Sequence, residues 1–104
     1  MESKPVRIFI AEDSHLMLEA LTSMIAGVAG TEVAGTTSHA EEAIHKIRQL
    51  SPDIAILDIR LETGTGLDVL RAIRSEGQTL PKVIIFSNHL PDSFRRECRA
   101  LGAD

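Results

Sequence analysis

Just after Pro52 the chain reads Asp53-Ile54-Ala55-Ile56-Leu57-Asp58, four apolar residues closed at each end by an aspartate. An apolar run without polar alternation, rich in β-branched residues, predicts a strand with no wet face. Strands of that kind belong to parallel sheets covered by helices on both sides. The closing carboxylate of Asp58 then stands at the carboxyl end of its strand. Ligands of open parallel sheets bind at that edge.

Working outward, the same alternation of strand and helix repeats. Val6-Arg7-Ile8-Phe9-Ile10-Ala11 reads as a first strand. Met17, Leu21, Met24 and Val28 follow at helical spacing, with Asp13 or Ser14 as the cap and Gly27 and Gly30 as breakers. Glu32-Val33-Ala34-Gly35-Thr36 is a weaker second strand. Ser38-His39-Ala40-Glu41 has capping-box spacing, with Ala40, Ile44 and Ile47 on one helical face until Pro52 ends it. Beyond Asp58, Thr63-Gly64-Thr65-Gly66 is expected to be a flexible loop into a helix carrying Leu67, Leu70 and Ile73. Gly77 and Pro81 punctuate the chain before a fourth strand, Lys82-Val83-Ile84-Ile85-Phe86-Ser87. A last helix is expected from near Pro91 to Gly102, with Phe94, Cys98 and Leu101 on its apolar face. The order predicts an α/β fold, a doubly wound parallel sheet, formed by residues 1–104 as one domain.

Bulk properties agree. The 104 residues are 43% hydrophobic and 25% charged, which suits one soluble core. A net charge of -4 without a basic stripe argues against a binder of nucleic-acid backbones. The single cysteine, Cys98, cannot close an internal disulfide and reads as a buried small hydrophobe. Met1-Glu2-Ser3-Lys4-Pro5 lacks a secretory apolar run, and no stretch is long and apolar enough to cross a bilayer, so a cytoplasmic location is expected.

The strand ends collect the chemistry. Ala11-Glu12-Asp13 closes the first strand, Asp58 the third and Ser87 the fourth. If these strands are neighbours, three carboxylates and a hydroxyl surround one crevice. Crowded carboxylates raise one another's pKa unless a cation neutralises them. An all-oxygen donor set at a wet mouth suits Mg²⁺. A carboxylate can also act as a nucleophile toward phosphorus, which makes Asp58 a candidate phosphoacceptor and Ser87 a donor to a phosphoryl oxygen. His15, His39, His45 and His89 are not spaced as a metal cluster and are expected to be solvated. Arg95, Arg96 and Arg99 read as a solvated helix face. Gly64-Thr65-Gly66 is no phosphate cradle, because no Gly-Lys-Ser/Thr follows.

Glu12-Asp13, Asp58, Phe86-Ser87, Gly66 eight residues after Asp58, and Leu101-Gly102-Ala103-Asp104 together resemble the response-regulator receiver domain of two-component signalling. The resemblance covers nearly the whole chain. It implies a flavodoxin-like sheet of strand order 2-1-3-4, continuing to a fifth strand. It also implies that Glu12, Asp13, Asp58 and the Arg60 backbone carbonyl bind Mg²⁺, that Asp58 is phosphorylated, and that Ser87 is the switch hydroxyl. A histidine kinase or phosphotransfer protein would be the donor, and the domain would be a switch rather than an enzyme.

Three positions depart from the family pattern. Glu62 replaces a proline, Asn88 follows Ser87, and Asp104 ends the chain where the family's fifth strand and helix, with their phosphate-contacting lysine, would come. None of Lys4, Lys46 and Lys82 is positioned to substitute. The chain is therefore expected to be C-terminally incomplete, with strand four as an apolar edge open to homodimerisation, there or through the fourth-helix region. A DNA-binding output domain would lie outside these residues. The rival readings are an unphosphorylated receiver-like interaction module and a phosphatase or phosphotransferase with an aspartate nucleophile. The second is disfavoured, because Arg60 occupies the position two residues after Asp58 where such enzymes need a second acid.

Overall fold

The computed structural model describes residues 4–75, 77, 81–86 and 92–103, with the side chains of Asp92 and Phe94 outside that set. Eight elements alternate: β1 (Val6–Ala11), α1 (His15–Ala26), β2 (Thr31–Thr37), α2 (Ala40–Leu50), β3 (Ile54–Asp58), α3 (Gly66–Arg74), β4 (Lys82–Phe86) and α4 (Asp92–Ala100). The four strands form one parallel sheet in the order β2-β1-β3-β4. This is the doubly wound α/β arrangement expected from the sequence. Its switch point lies between β1 and β3, where the chain winds first one way and then the other.

Strand alternation sends side chains to two faces, and each face has its own core. Phe9, Ala11, Ala55, Leu57 and Val83 pack with Ala43 and Ile47 of α2, Leu67, Leu70 and Ile73 of α3, and Cys98 of α4. On the other face Ile8 and Ile10 meet Ile25 of α1, joined by the partly buried Leu18, Leu21, Ile54 and Ile56. Ile84, paired in register with Ile56, is 42% exposed there. At the outer edge of β4, Val83 forms a parallel bridge with Ala103.

Three local expectations are corrected. Of the expected stripe Met17, Leu21, Met24 and Val28, only Leu21 packs, beside Leu18 and Ile25, while Met17, Met24 and Val28 face water at 41%, 68% and 55% exposure. Apolar residues border both stripes, so spacing alone could not choose the face that meets the sheet. Ser38 does not cap α2. His39 holds the N-cap position without a side-chain cap bond, and Thr37 Oγ1 instead accepts from the His39 N–H and donates to Glu42. The capping box lies on α3, where Thr65 accepts from the Asp68 N–H and the Asp68 carboxylate accepts from the Thr65 N–H.

The third correction concerns the segment after Asp58, which is built rather than loose. The Leu61 N–H donates to Gly64 O and the Gly66 N–H to Ile59 O, while Ile59 and Leu61 are buried. A Cβ on Gly66 would sit 2.3 Å from the carbonyl oxygen of Asp58, so only glycine lets the start of α3 approach the end of β3 this closely. The glycine eight residues beyond Asp58 therefore sets the height of the crevice wall.

Candidate functional site

Parallel pairing of β1 with β3 brings Ala11 beside Leu57, so Glu12, Asp13 and Asp58 leave the sheet at the same end. One ligand-capable oxygen from each of the three lies within 4.8 Å of the others. Glu12 is 3% exposed, Asp58 half-buried and Asp13 exposed, so the cluster opens outward from a buried acid. The Glu12 carboxylate divides its roles. Oε1 accepts from the Ser14 N–H at 2.9 Å, and Oε2 is buried without any hydrogen-bond partner.

That orphaned oxygen is costly in an apolar setting. Burial pushes the Glu12 carboxyl up to about 7, opposed by the Ser14 N–H and assisted by Asp13 and Asp58. Burial also raises Asp58, with the Arg60 N–H opposing the rise and Asp13 adding to it. Crowding of this kind is relieved when a cation neutralises the acids. The donor set is all oxygen, one donor is buried and unsatisfied, and the mouth is open. These features fit a hard divalent ion that retains waters. Arg60 follows Asp58 by two residues and is held in place by an antiparallel bridge to Thr65.

The sequence-predicted carboxylates thus come together as expected. Ser87, Asn88 and His89 lie outside the described residues. Lys82 begins β4 at the far end of the sheet, and Lys46 is engaged with Glu42 and the Thr36 carbonyl. Cys98 is buried on α4, and burial pushes its thiol up, as suits an inert core residue.

The His39 side chain is 42% exposed, in keeping with the solvated reading, and its ring also bridges to the loop that follows β3. Nδ1 lies 3.2 Å from Thr63 Oγ1 and Nε2 3.2 Å from a Glu62 carboxylate oxygen. Nothing in the spacing signals this contact, which joins residues 24 apart in sequence. A cavity of about 240 Å³ beside the carboxylates is lined by Glu12, Asp13, Thr37, His39, Glu42 and Glu62, among others.

Comparison with known proteins agrees with this geometry. Residues 8–104 match the response regulator receiver domain family. A protein-glutamate methylesterase/protein-glutamine glutaminase 2 of Koribacter versatilis is 34% identical over 97% of this chain and 27% of its own length. A transcriptional regulatory protein, YvfU, of Bacillus subtilis is 34% identical over 91% of this chain and 48% of its length. The chain thus spans about a quarter to a half of these curated relatives. Among solved structures, the signal receiver domain of a putative response regulator NarL from Mycobacterium tuberculosis superposes with a TM-score of 0.87. It is 26% identical, over 97% of this chain and 81% of that one. The CheX-CheY-BeF3-Mg²⁺ complex from Borrelia burgdorferi gives a TM-score of 0.87 at 26% identity, over 97% and 75%. With its parallel sheet, its acidic crevice and a match over almost its full length, the chain belongs to the response regulator receiver domain family.

Proposed function

We propose that Asp58 is the phosphoacceptor of this receiver domain, that Glu12, Asp13, Asp58 and the Arg60 backbone carbonyl hold Mg²⁺, and that Ser87 is the switch hydroxyl. One observation carries the reading: Glu12 presents a buried, unpartnered carboxylate oxygen to a cluster it shares with Asp13 and Asp58. Bound Mg²⁺ would neutralise the cluster and the negative charge of an incoming phosphoryl group.

The chain's own residues supply the nucleophile and its setting. A carboxylate oxygen of Asp58 forms the new bond to phosphorus as the bond from phosphorus to the donor's imidazole nitrogen breaks. The imidazole leaves with the electron pair and takes a proton from water. Asp58 projects from the end of a rigid strand, and the short loop behind it is braced by Gly66, so the nucleophile is held in position. The donor fitting this chemistry is a phosphohistidine of a histidine kinase or phosphotransfer protein. Ser87 then donates to the new phosphoryl group, and the surface around β4 and α4 changes for a downstream partner.

The module acts as a switch, and catalysis beyond its own phosphorylation would belong to attached domains. DNA-binding output is one option, since neighbours include LuxR-family response regulators. Self-association through β4 or α4 is another means of output. No helix among the described residues is long and apolar enough to cross a membrane, which is compatible with action in the cytoplasm.

The test is incubation with acetyl phosphate and Mg²⁺, followed by mass spectrometry and Phos-tag electrophoresis, beside Asp58→Asn. One labile, Mg²⁺-dependent phosphoryl group is expected in the wild type and none in the variant. Labelling that persists in Asp58→Asn would defeat the assignment. No labelling of a wild type that binds Mg²⁺ would favour the unphosphorylated interaction module.

A further inference from the structure

Resting on the phosphoacceptor reading, we infer that His39 is a positioning residue. Its imidazole latches the loop after Asp58 to the start of α2, which helps to present the Arg60 carbonyl to the crevice and engages the Glu62 carboxylate at the cavity wall. The loop meets α2 through a parallel bridge between His39 and Thr63, in which the Glu62 N–H donates to Ser38 O at 2.8 Å and the Ala40 N–H to Thr63 O at 2.9 Å. The His39 ring closes this bridge with both nitrogens. One tautomer satisfies every partner without a charge on the ring. Nε2–H donates to Glu62, and Nδ1 accepts from the Thr63 hydroxyl.

The latch bears on the crevice because Glu62 lines the same cavity as Glu12 and Asp13. Arg60, itself bridged to Thr65, lies two residues before Glu62, so what holds Glu62 adds to what places its carbonyl. Without the ring the backbone bridges remain, but the loop is held less tightly, and a fourth carboxylate is freed beside three that already repel one another. Partners that orient metal ligands from behind affect metal affinity roughly 10- to 100-fold.

Isothermal titration with MgCl2 and amide hydrogen exchange in EDTA test the inference on the wild type, His39→Ala and His39→Gln. In His39→Ala the Mg²⁺ dissociation constant should rise about tenfold. Exchange of the Glu62 N–H should accelerate about tenfold without metal. The melting temperature in EDTA should stay within about 2 °C, because the ring is a surface group. His39→Gln, whose amide can still donate to Glu62, should recover most of the affinity. Mg²⁺ bound equally tightly by the wild type and His39→Ala would overturn the latch and leave the phosphoacceptor reading standing. A wild type that binds no Mg²⁺ would bring down both.

Discussion

Leu57 lies fully buried in the cluster shared by α2, α3 and α4, while Asp58, the next residue of β3, reaches the acidic crevice. Below that boundary the clustered side chains remove apolar surface from water and pack against one another. Above it, Glu12 is buried with one oxygen unmatched, and Asp58 is held above its ordinary pKa by the same burial. The crevice is a place where charge is kept at the expense of stability, and the layer beneath supplies the stability that allows it. Substitutions on the two sides should therefore change folding free energy with opposite signs.

The largest effect lies in the layer beneath. Leu70 of α3 is fully buried, and Leu70→Ala should lower stability by about 2–5 kcal/mol through lost burial and the cavity left behind. Urea unfolding would show this as a lower midpoint at unchanged slope. A loss under about 1 kcal/mol would mean the α3 face is less closely packed than it looks.

At the crevice the sign reverses. Folded Glu12 keeps its proton up to about 7, whereas an unfolded glutamate loses it near 4.5. Between those values the folded state binds more protons, so this group's contribution to stability is full below pH 4.5 and is lost as pH rises through about 7. The loss amounts to about 3 kcal/mol. In EDTA, Glu12→Gln should be more stable than wild type at pH 7.5 and about equal to it at pH near 4, in buffers spanning the range of the carboxylate. Thermal melts of the two chains across pH would detect the difference, and parallel curves would remove the crevice from the comparison. Added Mg²⁺ should stabilise the wild type at pH 7.5 more than the variant.

The smallest effect tests the joint between the regions. Thr65 caps α3 directly below the loop that carries Arg60. Thr65→Ala should cost about 1 kcal/mol, measured by chemical denaturation, because the Asp68 N–H loses its acceptor.

Much of this was legible beforehand, and the misses have a common cause. The alternation of apolar runs with helical stripes identified all four strands and the helices between them. The carboxylates are legible because three acids fall together at the carboxyl ends of strands, the edge where ligands of open parallel sheets bind. The α1 face was misjudged because Leu18 and Ile25 are as apolar as Met17 and Met24, so composition could not rank the two stripes. Capping-box spacing points to Ser38 but the box forms at Thr65, since the motif is short and neighbouring backbone geometry decides which copy forms.

By itself, then, the sequence determined the parallel α/β layer and the three acids at one end of it, because periodicity and strand-end position are local properties of the chain. Only the tertiary structure decided what each acid experiences. Burial of Glu12, the orphaned Oε2, the close approach of Gly66 to Asp58 and the reach of His39 to Thr63 all depend on how segments of the chain are brought together in space. Desolvation and hydrogen-bond satisfaction depend on every neighbour in space, so no reading of spacing along the chain contains them.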